Sequence, residues 1–379
     1  MDRVLFSTPY TTGLELEYVT QALASGHWQG DGPFTERATE WLEEFTGSPD
    51  ALLTTSCTHA LELAAILLEL GPGDEVIVPS FTFSSTATAI AIRGATPVFV
   101  DVVPQTLNID PELVEAAITP ATKAVFFVHY GGVAADLDAL QDIATRHGLA
   151  LVEDNAHSLG AYYRGRHLGT FGAFATQSWH ATKNVACGEG GALLINDPAH
   201  VERAEIIREK GTNRSRFLRG QIDKYTWVDQ GSSFLPSELL AAVLMAQFEQ
   251  FDQIQAARHR VWDAYDGAFE QWAADQGVET MHVPEDCQHP AHLYYLTMPT
   301  PADQEGFIAH LKALGIVAPF HYQPLDSAPA GRALGRTPRP CSVTADRSMR
   351  LVRLPLHAGL TDSEVERVLD GVQSYRSAR

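Results

Sequence analysis

Five short apolar runs with helical patterns between them constrain the fold of this chain more than any other feature. ALLTT (51–55), EVIVPS (75–80), TPVFVDV (96–102), AVFFVHY (124–130) and ALVED (150–154) are rich in β-branched and aromatic residues. Helix-period segments lie between them, near 58–70, 84–93, 111–118 and 136–147. Strands that are apolar throughout bury both faces, and strands joined through helices run parallel. The pattern therefore predicts an α/β fold with a mostly parallel sheet flanked by helices.

In such a sheet ligands collect beyond the carboxyl ends of the strands. The residues to read are thus Ser56–Thr58, Ser80–Phe83, His129–Gly132, Asp154–His157 and Ser178–Lys183.

From Ser237 to about Phe269 the periodicity predicts one long helix leading out of the sheet. Beyond it AHLYYLTM (291–298) reads as a strand, QEGFIAHLKALG (304–315) as a helix ending in glycine, and TDSEVERVLDGVQSYR (361–376) as a capped helix. Two domains are expected, a large one over 1–250 and a smaller C-terminal α/β domain over 251–379. The sequence contains no repeat and no low-complexity tract.

The formal net charge is −20, and no Lys/Arg-rich run occurs, so a nucleic-acid partner is not expected. Cys57, Cys187, Cys287 and Cys341 lack CxxC or zinc spacing, which argues for reduced thiols and against a metal site. The start, MDRVLFSTPY, lacks the apolar core of a signal peptide, and no apolar run reaches the roughly 18 residues of a membrane span. A cytoplasmic protein without a membrane partner is expected.

SWHATKNVACGEGGALLIND (178–197) poses the chemical question, because it sets a single amine, Lys183, between a strand end and a glycine-rich run before another strand. A lysine in a site acts as a point charge on phosphate or, once neutral, as a nucleophile toward an aldehyde. A pyridoxal phosphate site needs such a lysine, a carboxylate for the pyridinium nitrogen, a face for the ring and a phosphate cup. Asp154 ends a strand and would supply the carboxylate; its plainer reading is a helix cap. His157 would reach the phenolic oxygen. Thr54–Thr58 opens a helix whose free N–H groups suit phosphate, or is simply an N-cap rich in hydroxyls. Ser178 would add a hydroxyl, and Phe83 would stack on the ring or pack in the core. No GxxxxGK[ST] or dinucleotide fingerprint occurs.

Taken together, SWHATKN…GEGGALLIND, VEDNAHSLGA, TTSCTHAL, PGDEVIVPSFTFSSTATAI and FVDVVPQTLNIDPELVEAAIT resemble the DegT/StrS family of nucleotide-sugar aminotransferases, which are fold-type I pyridoxal phosphate enzymes. Within it, residues 205–233 and FHYQPLDSAPAG (320–331) are similar to the TDP-4-amino-4,6-dideoxygalactose transaminases. The resemblance implies transfer of the amino group of L-glutamate to C4 of TDP-4-keto-6-deoxy-D-glucose. The cofactor would be pyridoxal 5'-phosphate, passing through its pyridoxamine 5'-phosphate form. The resemblance gives Lys183 the covalent link to the cofactor and the proton shuttle, Asp154 the ring nitrogen, His157 the phenolic oxygen and Phe83 the ring face. It gives Cys57, Thr58 and Ser178 the phosphate, and His180 and His321 contacts to the sugar.

It also implies a homodimer with active sites at the interface, where an asparagine of a G-x-N-Y-R motif reaches the partner's phosphate. Here GSSFLPSE puts Ser233 at that asparagine and Leu235 at the arginine, and Asp326 stands where close relatives carry histidine. Arg214, Arg216 and Arg219 either bind the substrate diphosphate or face solvent; Arg208 and Lys210 read as a solvated helix face. His129 reads as a satisfied structural residue. Two rivals remain: the same chemistry at C3 or on another nucleotide-linked keto sugar, and a ligand-sensing homologue without chemistry. The latter should have lost a cofactor residue, yet Lys183, Asp154 and Ser178 are all present.

Overall fold

The computed structural model describes residues 3–377. It places strands at Asp50–Thr54, Glu75–Pro79, Thr96–Val100, Thr122–Val128 and Ala150–Asp154, with helices Cys57–Leu67, Ser84–Ala91, Pro111–Ala117 and Leu137–His147 between them. Phe174–Ser178 and Gly191–Ile195 complete a seven-stranded sheet. From edge to edge its strands begin at residues 50, 191, 174, 150, 122, 75 and 96. The pairs are parallel except around Gly191–Ile195, which runs antiparallel to both of its neighbours. No crossover helix separates Phe174–Ser178 from Gly191–Ile195, so the chain returns antiparallel. The connecting loop carries Lys183.

Period-two alternation sorts the strand residues onto two faces. Val76, Val78, Ala124, Phe126 and Val152 pack with the helix Cys57–Leu67. Ile77, Val125, Phe127 and Leu151 pack with Leu137, Leu140 and Ile143 on the opposite face. Both faces are apolar because both are covered, the α/β layering expected from the apolar runs.

A second apolar core gathers around the antiparallel sheet Glu279–Thr280, Tyr295–Thr297 and Leu351–Arg353. It takes in Val261, Tyr265 and Phe269, the helices Pro301–Ala313 and Asp362–Ser374, and also Val4, which bridges Ile316. Thr361 and Glu364 form a reciprocal capping box at the last helix, and Gly315 with φ 78° turns the chain just after the helix Pro301–Ala313.

Two sequence expectations change. The single helix from Ser237 is two, Glu238–Glu249 and Phe251–Gln276, broken at Gln250. The break redirects the apolar stripe: Leu244 and Phe248 serve the core beside the large sheet, whereas Val261 to Trp272 serve the second. The strand expected over 291–298 shrinks to Tyr295–Thr297, because Ala291 is left-handed (φ 47°) and the buried Arg258 guanidinium takes the Ala291 and His292 carbonyls.

His129 and Glu153 are fully buried and lie 3.0 Å apart. Glu153 also accepts the N–H groups of Gly169 (2.8 Å), Phe171 (2.7 Å) and Gly172 (2.7 Å), organising the loop that re-enters the sheet at Phe174. Burial pushes its carboxyl up, but His129 and these amides outweigh burial and hold it below the ordinary carboxylate value. Among the described residues no helix is long and apolar enough to cross a membrane. Glu153→Ala would strand three amides and an imidazole without an acceptor, so we expect a loss of about 3–5 kcal/mol, read as a lower urea midpoint. An unchanged midpoint would show that Glu153 does not organise the loop.

Candidate active site

A cavity of about 730 Å³ opens at the carboxyl ends of the parallel strands, the size expected for a small-molecule site. Ser56, Cys57, Thr58, Thr82, Phe83, Ser85, Val128, Asp154, Ala156, His157, Ser178, His180, Thr182 and Lys183 line it. All follow or end strands of the large sheet, so the topology expectation and the residue expectation converge on one place.

Lys183 sits in the loop between antiparallel strands, its N–H on the His180 carbonyl at 2.8 Å. Burial pushes its amine down to about 8, against the opposing pull of Cys57 and Asp154. Asp154 is held by the Thr86 hydroxyl at 2.8 Å and the Ala156 N–H at 3.3 Å. Burial raises its carboxyl above the ordinary value while Thr86 and Lys183 pull it down. A cation placed in the cavity beside Asp154 would favour the ionised form.

The opposite end is built for an anion. Ser56 caps the helix Cys57–Leu67, its hydroxyl accepting the His59 N–H. No protein acceptor takes the Cys57 or Thr58 N–H among the described residues, which leaves two donors at a helix start. Ser178 pairs with Gly191, and Gly191 with Thr54, so three strand ends meet there. The glycine run now has a reason. A Cβ on Gly191 would lie 2.4 Å from the Cys57 N, and Gly188 is left-handed at φ 97°.

His157 Nδ1 accepts the Gly131 N–H at 3.3 Å, so the neutral ring carries its proton on Nε2. Burial keeps that ring neutral by pushing its pKa well below the ordinary value. Phe83 opens the helix Ser84–Ala91 with 59% of its surface exposed, a free aromatic face at the cavity rather than a core residue. His180 lines the wall with its Nδ1 2.9 Å from the Thr182 hydroxyl. His321 Nδ1 lies 3.1 Å from the Tyr130 hydroxyl, and His321 too lines the cavity.

Ser233, Arg214, Arg216 and Arg219 are not brought to this cavity within one chain. Ser233 is exposed and bridges Glu209. Arg214, Arg216 and Arg219 are paired with Glu209, Glu202 and Glu205. Arg208 is buried rather than solvated, bonded to Asp31 at 2.7 Å and to the Leu53 carbonyl. Asp326 is outside the lining and accepts the Ser80 hydroxyl at 2.6 Å.

Sequence reasoning missed Glu189, in the lysine loop, and the far wall: Phe6, His292, Leu293, Phe320, Tyr322 and Arg353. Arg353 has no carboxylate partner among the described residues. Its Nη2 donates to the Phe320 carbonyl at 3.1 Å, its Nε is buried without a partner, and its guanidinium lies 4.5 Å from the Phe6 ring centroid. An arginine in LVRLPL, on an apolar strand, was the available signal. Residues this distant in sequence meet only through the second core.

An amine titrating near 8 turns nucleophilic where an ordinary lysine, near 10.4, is still charged. Trapping with a small aromatic aldehyde and borohydride should therefore modify Lys183 preferentially, at a rate rising with pH through about 8 and then levelling. A rate still climbing to pH 10, or a different lysine in the peptide map, would refute this.

The sequence profile of the DegT/DnrJ/EryC1/StrS aminotransferase family matches residues 9–373. The chain is 34% identical, over 97% of its own length and 96% of the relative's, to the spore coat polysaccharide biosynthesis protein SpsC of Bacillus subtilis (strain 168). The crystal structure of the aminotransferase TlmJ from Streptoalloteichus hindustanus superposes with a TM-score of 0.90 at 30% identity, covering 98% of each chain. The putative sugar aminotransferase Spr1654 from Streptococcus pneumoniae, solved in PLP and PMP forms, also reaches 0.90, at 28% identity and 98% of each chain. The fold is that of the pyridoxal-phosphate-dependent aminotransferases, and this chain belongs to the DegT/DnrJ/EryC1/StrS family as an enzyme, a transaminase.

Proposed function

We propose that the protein moves the amino group of L-glutamate to C4 of TDP-4-keto-6-deoxy-D-glucose, giving TDP-4-amino-4,6-dideoxy-D-galactose and 2-oxoglutarate, with pyridoxal 5'-phosphate as cofactor. The observation that carries this reading is one cavity holding an amine titrating near 8, a buried carboxylate and a helix start with two free N–H donors. Those groups fit the cofactor. Lys183 would hold its aldehyde carbon, Asp154 its ring nitrogen, His157 Nε2–H its phenolic oxygen, Phe83 its ring, and Cys57, Thr58 and Ser178 its phosphate. Bound there, the cofactor supplies an electron sink for the bond broken at the amino acid α-carbon.

The chain's own residues do the rest. The Lys183 amine is neutral for about half of the molecules near pH 8, so it can take the α-proton of the donor and later return a proton to the sugar carbon. Arg353 suits the carboxylate of glutamate, since a half-buried guanidinium with an unpartnered Nε and no carboxylate beside it among the described residues favours an anion from outside. Neutral His157 donates without adding a second charge beside Lys183.

Relatives named for polysaccharide biosynthesis and as a putative sugar aminotransferase support a sugar acceptor. Exposed Phe217, Leu218, Tyr225, Trp227 and Val228, near Ser233, support a homodimer that completes the site. Four free cysteines suit the reducing cytoplasm. Asp326, tied to Ser80 instead of lining the cavity, favours a second reading: the same transfer at C3, or to another nucleotide-linked keto sugar.

The test follows the visible absorbance of the holoenzyme. Glutamate should remove the cofactor's long-wavelength band, and the keto sugar should restore it; no restoration would refute the acceptor, and no initial band would refute the cofactor. Lys183→Ala should lose turnover yet still bind pyridoxamine 5'-phosphate, and normal rates in that variant would sink the assignment. Arg353→Leu should raise KM for glutamate about tenfold to a hundredfold while leaving KM for the sugar within threefold; equal effects on both would remove Arg353 from the donor site.

A further inference from the structure

His292, on the far wall, is fixed both at its backbone and at its ring. His292 follows left-handed Ala291, a conformation that costs a non-glycine residue about 1 kcal/mol or more and persists only where neighbours impose it. Here Arg258 and His289 are those neighbours. Arg258 donates to the carbonyls of Ala291 (3.0 Å), His292 (2.6 Å) and Leu356 (3.2 Å). It is a buried cation spent on backbone alone, its guanidinium pushed down to about 9 by burial. The Ala291 N–H is taken by His289 Nδ1 at 3.1 Å.

The imidazole itself is fixed by a chain of amides. Asn184, next to the reactive lysine, lies 2.7 Å from the Pro290 carbonyl and 3.0 Å from Gln255 Oε1. A carbonyl only accepts, so the Asn184 atom facing it is the Nδ2 donor. Asn184 Oδ1 therefore faces His292 Nδ1 at 2.8 Å, and the proton of the neutral ring is on Nδ1. That leaves Nε2 as a bare acceptor. It has no protein partner among the described residues, and the half-buried ring lines the cavity.

The ring stacks on His157 with centroids 4.3 Å apart and planes 21° apart. The two imidazoles thus present opposite tautomers, Nε2–H on His157 as donor and Nε2 on His292 as acceptor. A carboxylate has no hydrogen to offer His292; a hydroxylated substrate has.

We propose that His292 Nε2 accepts a hydrogen bond from the acceptor sugar's hydroxyl on the carbon beside the keto carbon, with Asn184, Gln255 and Arg258 as positioning residues. The proposal rests on the keto-sugar reading above. The place supports the neighbouring hydroxyl, because His157 and the residue after Lys183 hold His292 at the reacting end of the cavity.

The experiment separates the half-reactions in holoenzyme. His292→Phe keeps a ring against His157 and removes the acceptor; His292→Gln restores a carbonyl acceptor. For His292→Phe, the rate at which glutamate removes the cofactor band should stay within threefold of wild type, while kcat/KM for TDP-4-keto-6-deoxyglucose falls about tenfold to a hundredfold. His292→Gln should recover part of the loss. The 3-deoxy analogue of the sugar should be a poorer substrate than its parent for wild type and an equal one for His292→Phe, closing a double-mutant cycle. Equal slowing of both half-reactions would mean that His292 acts through His157 or the fold, and additivity in the cycle would mean that it touches no hydroxyl; either overturns the proposal. A wild-type enzyme that accepts no keto sugar would defeat the functional reading itself, and this inference with it.

Discussion

Two adjacent carboxylates, Glu153 and Asp154, anchor this structure because strand alternation turns them to opposite sides. Glu153 points into a dry interior and is satisfied by His129 and three amides, which fixes how the chain re-enters the sheet at Phe174–Ser178. Asp154 points into the cavity with one hydroxyl and one amide. The same strand thus organises the loop leading to Ser178 and presents the carboxylate facing Lys183. A one-residue slip of register would exchange the two and place a structural carboxylate in the site.

The cavity inverts the electrostatics of the chain around it. With a net charge of −20, the protein as a whole repels anions. The cavity nevertheless holds Lys183 and Arg353, and it surrounds them with histidines that burial keeps uncharged. Neutral imidazoles donate or accept without enlarging the positive field, so the lysine amine titrates near 8 through desolvation more than through repulsion. An anionic group would be attracted locally, by the Arg353 guanidinium or by the helix start at Cys57, rather than by the surface field.

The second core positions as much of the site as the large sheet does. The helix Phe251–Gln276 reaches from one core to the other, and its Gln255 and Arg258 hold the segment that carries His292. Arg353 ends a strand of the small antiparallel sheet. Residues near both ends of the sequence, Phe6 and Arg353, meet across the cavity at 4.5 Å. Any shift of the small core against the large sheet would move the acceptor and the free cation relative to the lysine.

How much of this was legible beforehand follows from the range of the physics involved. Strands, most helices and the ligand-binding edge of the sheet depend on periodicity and local capping, which are written within a few residues of each position. Lys183, Asp154, His157, Ser178, Cys57, Thr58 and Phe83 could therefore be named from the sequence, and they share one cavity. The break at Gln250, the shortened strand at Tyr295 and the buried state of Arg208 could not, since each depends on partners far along the chain. The states of Arg353 and His292 could not be read for the same reason, although an arginine on an apolar strand marked Arg353 as unusual. An arginine in LVRLPL and a histidine in AHLYYL carry no local mark of a free guanidinium or of a tautomer. Those properties arise from desolvation and from the distant amide that takes the other nitrogen, and only the packing of the two cores decides them.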